Sequence, residues 1–535
     1  MGDDAGQTSL GVSQPPSADA AGAPPGNRSG PSLALGVARS GLWAAGGQAA
    51  ALLATLFATP FTIRLLGPVR YGLWSLLRTV LIYFQLADLG MATASTRFAA
   101  ERYAHRDAMG ESTVIWTALA VTVALTGAAA IAASLAAPFV ISVVLHVKGE
   151  LQSRGVLAFR LVCVTAVLIA ISNTVNTPQQ VRLRWRSVTL AMSGPTVLQI
   201  AAAPVVLAAV GGGVVTMTAV TAIAFTAAAA LNLLVAVRLQ PALTRPHVTR
   251  TALRPMVRYG GALAVSSFAD IPLMTAERFW LAHFRSPRAV AYYAAAGALG
   301  SLLTVFALIV SQPLLPALTR LASEKRTDEH RRLYHQVLRG LFLLTTPSAL
   351  VLAFLARPFF GLWAGPAYGV RSTGAFYVIL IGLWFNTLAS VPMSQLLAAG
   401  RTSAFAVLHV AELIPYLILA AALTSAFGVV GAAAAWSIRM VFDSVAFFVL
   451  VGRRYQLPWL PTPRHGKASL TAFLCLAGVL FGLSAVTSSL AARVAWSLIS
   501  VGVFGTATWK LVLSASERSG LATLLGGIVP HRTTH

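Results

Sequence analysis

The stretch LLGPVRYGLWSLLRTVLIYFQLADLGMATASTRFAAERY, Leu65 to Tyr103, decides the class of fold. A Gly67-Pro68 turn leads into an apolar run long enough to cross a bilayer, with Arg78 in its interior and Asp88 near its far end. The run then opens into a basic loop holding Arg97, Arg102 and Arg106. A charge inside a span costs a few kcal/mol or more, so it normally faces protein or water rather than lipid. A long apolar helix with a cation inside it predicts a membrane protein with a polar interior.

The rest of the chain repeats that theme. Of its 535 residues, 56% are hydrophobic and only 10% charged, and the mean hydropathy is +0.73. Soluble domains carry about 25% charged residues, so a soluble globular protein is excluded. The net charge of +24 comes from 40 Lys+Arg against 16 Asp+Glu. In a soluble chain that balance would suggest nucleic acid. Here loops facing an anionic leaflet account for it, and no nucleic-acid partner is expected. Cys163 and Cys475 both fall in predicted spans and offer neither a disulfide framework nor a metal cluster. Residues 1–36 begin with a tract rich in Gly, Pro, Ser and Ala that lacks a signal-peptide core, and are expected to form a disordered cytoplasmic tail.

At roughly 20 apolar residues per crossing, about fourteen transmembrane helices are expected. The first twelve are 41–63, 71–94, 113–135, 156–177, 187–210, 214–237, 257–280, 290–315, 336–355, 373–393, 404–426 and 429–451. A final pair covers 468–487 and 494–513. Pro138 to Val147 is too short to span and is expected to lie along the interface. With the N-terminus inside, about 27 Lys and Arg fall in inside segments and about 10 outside, which predicts both termini cytoplasmic. The longest connection, Thr319 to Gln336, reads as a charged amphipathic stretch. Its His330 and His335 match no standard metal spacing, so a solvated helix face is expected there.

An internal repeat sets the architecture. Gly213-Val214-Val215 before the sixth span matches Gly428-Val429-Val430 before the twelfth, and Arg238 matches Arg453 downstream. Pro68 to Gly72 resembles Pro287 to Ala291, and Pro178 and Pro392 close the fourth and tenth spans at nearly the same offset. A shared offset points to duplication of a six-span unit. The expected fold is an all-α polytopic membrane protein: two six-helix lobes in pseudo-twofold arrangement plus a C-terminal helix pair. The lobes are placed at 37–238 and 256–454, the linker at 239–255, and the added hairpin with a short tail at 455–535. An even number of spans per unit makes the repeats parallel, with a cleft between them suited to alternating access.

The intramembrane charges are the candidates for what fills that cleft. Arg78, Arg278 and Arg439 suit an anionic group, since the planar guanidinium pairs bidentately with phosphate. Each also has a plain structural reading. Asp443 lies one turn from Arg439, the spacing of a side-chain pair. Glu277 is adjacent to Arg278 and projects elsewhere, while Arg78 has no acid one turn away. Asp270, Glu412 and Asp443 are candidates for coupling a cation, Na⁺ or H⁺, with His409 on the face of Glu412 and Pro272 between Asp270 and Glu277. Asp88 with Gly90 reads as a helix terminus. No nucleotide-binding or hydrolase motif occurs, and neither a cofactor nor a resident metal is expected.

LLGPVRYGLW (Leu65–Trp74), followed by Asp88-x-Gly90 and Arg97…Glu101, resembles the opening of the Wzx-type polysaccharide and O-antigen flippases of the multidrug/oligosaccharidyl-lipid/polysaccharide exporter superfamily. FFGLWAGPAY (Phe359–Tyr368), Ala398 to Thr402, and GVVGAAAAW (Gly428–Trp436) resemble later segments of the same family, so the likeness covers about residues 37–455. The resemblance implies two six-helix lobes around a cationic cavity. It also implies movement of undecaprenyl-diphosphate-linked glycan from the cytoplasmic to the outer leaflet of the bacterial cytoplasmic membrane. A cation site in the second lobe would couple transport, and Asp270, Glu412 and Asp443 stand there by span rather than by a matched motif.

The expectation is therefore a non-enzymatic lipid-linked oligosaccharide flippase. Arg78, Arg278 and Arg439 would hold the diphosphate, with membrane lipids and the glycosyltransferases or polymerase of the pathway as partners. The rival readings are a multidrug/cation antiporter of the same superfamily, which an acid-lined cavity would favour, and a membrane-embedded glycan ligase or polymerase, which needs a large external loop.

Overall fold

The structure, a computed structural model, describes residues 31–457, a few positions between 475 and 483, and residues 489–512. Most of the expected tail, most of the thirteenth span and the extreme C-terminus lie outside the described residues. Among the described residues there are helices and no strands. In chain order the α-helices are α1 (Pro31–Tyr83), α2 (Met91–Ala104), α3 (Ala108–Phe139), α4 (Glu150–Val175), α5 (Thr177–Val181), α6 (Trp185–Val210) and α7 (Val214–Leu239). There follow α8 (Arg250–Phe284), α9 (Pro287–Gly300), α10 (Thr304–Ser323), α11 (Thr327–Trp363), α12 (Pro366–Arg371), α13 (Thr373–Ala398), α14 (Thr402–Tyr455) and α15 (Leu490–Ala507).

Ten described stretches are long and apolar enough to cross a membrane. Two of them are double length. The stretch Ala404–Tyr455 has 52 residues, and at about 1.5 Å per residue it far exceeds a hydrocarbon core of about 30 Å. It breaks at Gly428 (φ 59°, ψ −126°), as α1 breaks at Gly67 (φ 74°, ψ 165°). Both conformations belong to glycine, which has no Cβ to clash at positive φ. Each long helix is thus two crossings, and all the predicted spans except 468–487 map onto described helices. The bundle is apolar outside: Phe57, Leu135 and Val210 are 69%, 76% and 74% exposed, while Thr117, Thr122 and Thr126 are fully buried. That inversion is the pattern of a protein solvated by lipid.

Helices α1 to α7 pack mainly on one another, as do α8 to α14, and the two sets meet chiefly along α1 and α9. The duplication reappears as a repeated contact. Arg70, before the second span, lays its side chain against Gly213, with Cδ 3.6 Å from where a Cβ would stand. Arg285, before the eighth span, lays Nε 3.3 Å from the same point on Gly428. Its Nη2 also donates to the carbonyl oxygens of Ser425 (2.7 Å) and Ala426 (3.2 Å). Both glycines hold positive φ and open the last span of their unit.

The two sets approach closely at Gly72. A Cβ there would lie 1.7 Å from the Pro287 carbonyl oxygen. Gly72→Ala is therefore expected to force α1 from α9 and to lower stability by about 1–3 kcal/mol. Gly46→Ala, where nothing stands within 4 Å, should leave thermal unfolding in detergent unchanged.

Two expectations need correction. Pro138 to Val147 does not form an interfacial piece: α3 continues through Phe139 into a π-helical turn, Val140–Val144, extending the third span. The charged connection is helical as expected, with only residues 324–326 between α10 and α11. The second span stops at a 3-10 turn, Phe84–Leu86, where Asp88 Oδ1 accepts from the Gly90 N–H (2.8 Å). Gly90 then opens α2 at φ 70°, so Arg97 and Arg102 sit on a helix rather than in a loop. Asp88 is the helix terminator its spacing suggests.

Candidate functional site

Helix α8 and the first half of α14 pack along a polar seam. In an α-helix, positions i, i+3 and i+7 share a face. Asp270, Leu273 and Glu277 do so on α8, and His409, Glu412 and Tyr416 on α14. The residues meet in register. His409 Nδ1 lies 2.5 Å from Asp270 Oδ1, and Tyr416 OH donates to Glu277 Oε2 at 2.7 Å, each pair being 139 positions apart. Between them Arg439, from the second half of α14, fills the middle rung. Its Nη1 donates to the Leu273 carbonyl (3.0 Å), its Nε to Glu412 Oε2 (3.3 Å) and its Nη2 to Asp443 Oδ2 (3.0 Å). His409 Nε2 is 3.6 Å from the same Asp443 oxygen.

Arg439, Asp443 and Glu412 are buried, at 5%, 5% and 6% exposure, while Asp270 at the end of the cluster is 41% exposed. Three carboxylates share one arginine and one histidine. Glu412 Oε1 and Asp443 Oδ1 have no hydrogen-bond partner among the described residues. Buried carboxylate oxygens in that condition favour a further cation or proton. No group of three or more metal-ligating side chains is placed to hold a metal ion among the described residues.

A second group lies where the two helix sets meet. Arg278 of α8 donates from Nη1 to Thr79 Oγ1 of α1 (3.3 Å). Arg78 is the neighbour of that threonine, and its guanidinium carbon sits 5.0 Å from the Trp74 ring centroid. The charges of Arg78 and Arg278 are close enough to interact. No carboxylate pairs with Arg78 among the described residues. Arg278 Nε lies 3.6 Å from Glu277 Oε1, so the adjacent acid does reach it after all, and its side chain stays 31% exposed. Thr275 Oγ1 donates to Tyr83 OH at 3.0 Å, adding polar groups from both sets.

The structure thus brings Arg78 and Arg278 together and places Arg439 elsewhere, inside the acid cluster. Asp270, Glu412 and Asp443, scattered over three spans, come to one place. Sequence reasoning passed over Thr79 and Tyr416, and gave His409 no role of its own. The one signal for the last two was the matching 3-and-4 spacing of polar positions on α8 and α14. It also missed a hub in the first set: Glu111, 1% exposed, takes Arg182 on both oxygens (2.6 and 3.1 Å) and Gln240 Nε2 at 3.0 Å. The chain after α7 is fastened beside it, through Ser112 Oγ to the Ala242 carbonyl (3.0 Å) and Trp116 Nε1 to that of Leu243 (3.0 Å).

A family described as polysaccharide biosynthesis protein matches residues 62–373, more than half of the chain. The chain belongs to the polysaccharide biosynthesis protein family. This family member is 25% identical over 415 residues to a Shigella flexneri protein named "Putative O-antigen transporter", covering 77% of the chain and 96% of that protein. Its fold is similar to an inward-facing multidrug resistance MATE family transporter of the MOP superfamily, with TM-score 0.65, 15% identity, 75% of this chain and 94% of that one. It is equally similar to the lipid II flippase MurJ in an inward closed conformation, with TM-score 0.65, 12% identity, 89% of this chain and 98% of that one. At those identities the solved structures establish the polytopic fold of this polysaccharide biosynthesis protein.

Proposed function

We propose that the chain is a flippase that carries a polyprenyl-diphosphate-linked glycan across the bacterial cytoplasmic membrane, both termini being cytoplasmic. One observation carries the reading: Arg278 of one helix set reaches Thr79 of the other, the neighbour of Arg78, which has no carboxylate partner among the described residues. Two guanidinium groups offer bidentate donors in the geometry a diphosphate needs, and arginine is hydrated weakly enough to work inside a membrane. Because the pair is shared between the sets, a bound headgroup touches both, and rocking one set against the other carries it from leaflet to leaflet. Family membership and the O-antigen transporter relative support the glycan cargo.

The acid cluster supplies the coupling. Three carboxylates against Arg439 leave two negative charges unmatched, and His409 offsets one by taking a proton or an incoming cation does so directly. An antiporter built on the same fold would present acids to its cargo at the junction, where this chain presents arginines.

The test is a leaflet-resolved assay. Vesicles bearing the purified chain receive a fluorescent polyprenyl-diphosphate-linked sugar in one leaflet, and a membrane-impermeant quencher reports its arrival in the other. Faster transfer than in protein-free vesicles, steepened by a proton or sodium gradient, is expected. Equal rates would remove the proposal.

A further inference from the structure

Glu277 is the most enclosed charged residue in the junction, fully buried, and neither the arginine pair nor the acid cluster accounts for it. Its two oxygens are divided between two helices. Tyr293 OH of α9 donates to Oε1 (3.1 Å) and Tyr416 OH of α14 donates to Oε2 (2.7 Å). The same Oε1 faces Arg278 Nε at 3.6 Å. A carboxylate carried on a helix backbone and gripped from two more helices has no freedom left. The guanidinium is therefore bracketed, its Nε in an ion pair with this acid and its Nη1 on Thr79.

We propose that Glu277 is a positioning residue for substrate: with Tyr293 and Tyr416 it holds the Arg278 guanidinium in the orientation that receives a diphosphate. This extends the flippase reading and rests on Arg278 being a ligand. An arginine loses rotamer freedom when it pairs, and one already held loses less, so pre-positioning raises affinity without adding a contact to the ligand. The acid also sets selectivity. By lying against one edge of the guanidinium, it leaves the remaining donors as a fixed fork, which a diphosphate spans and a monophosphate fills only in part. Tyr416 sits one rung from Arg439 on the seam, so Glu277 is also where the acid cluster touches the ligand site.

The probes are polyprenyl diphosphate and polyprenyl monophosphate, titrated against the purified full-length protein with intrinsic tryptophan fluorescence as readout. Glu277→Gln keeps the size but removes the charge and sets an amide donor against phenol and guanidinium donors. It is expected to weaken diphosphate binding about tenfold and to narrow its advantage over monophosphate. Tyr293→Phe and Tyr416→Phe should each narrow that advantage by a smaller factor. A merely structural change such as Gly72→Ala would lower the melting temperature and leave the ratio of the two affinities alone. If Glu277→Gln does not accumulate, the two phenylalanine variants decide: a narrowed ratio supports the proposal, and an unchanged ratio overturns it. Unchanged binding in Glu277→Gln with lost binding in Arg278→Gln overturns the positioning role alone. Unchanged binding in both overturns it together with the arginine site.

Discussion

Arg439→Leu is expected to reach the membrane at a small fraction of the parent's level and to melt far earlier in detergent. Leucine fills much of the volume but leaves Glu412 and Asp443 buried with no cation between them, and removes the donor on the Leu273 carbonyl. Removing one partner of a buried ion pair costs about 3–5 kcal/mol, because the other charge remains desolvated. The companion measurement separates charge from shape. In the Arg439→Leu background, Glu412→Gln with Asp443→Asn should restore part of the melting temperature, since no net charge is then stranded. If Arg439→Leu alone melts like the parent, the ion cluster contributes nothing to folding.

The second large effect concerns transport. Arg78→Gln with Arg278→Gln is expected to cut leaflet transfer of the labelled diphosphate lipid roughly a hundredfold at normal protein levels. A hydrogen bond to a charged group contributes about 1.5–3 kcal/mol, a factor of ten or more for each arginine. The double variant should melt somewhat earlier, because Arg278→Gln leaves buried Glu277 with only the Tyr293 and Tyr416 hydroxyls, so transfer is compared at matched amounts of folded protein. Transfer at the parent rate would show that the pair serves only to join the helix sets.

Much of this architecture is legible in the residues alone. Runs of some 20 apolar residues mark crossings whatever they pack against, and the Gly213/Gly428 repeat marks the duplication because only glycine tolerates those backbone angles. Family resemblance is carried by the turn at Leu65–Trp74, and the match over residues 62–373 covers all of that turn. What escapes is anything decided by a partner on another helix. The pairing of Arg439 with Asp443 follows from one-turn spacing, but its bond to Glu412 depends on how α14 folds back at Gly428. Adjacency predicts that Glu277 and Arg278 diverge, yet the long arginine side chain curls back to reach the acid. Pro138 to Val147 is too short to cross alone, and nothing local reveals that α3 runs on into it.

The matched rungs between α8 and α14 also limit how the machine can deform. If α14 slipped one turn along α8, Glu277 would stand opposite Glu412 and His409 would lose Asp270, setting like charge against like in a dry interior. Such slippage is closed off, so these segments travel together as one solid block. Bending must then be absorbed where the backbone is already broken, at joints such as Gly67.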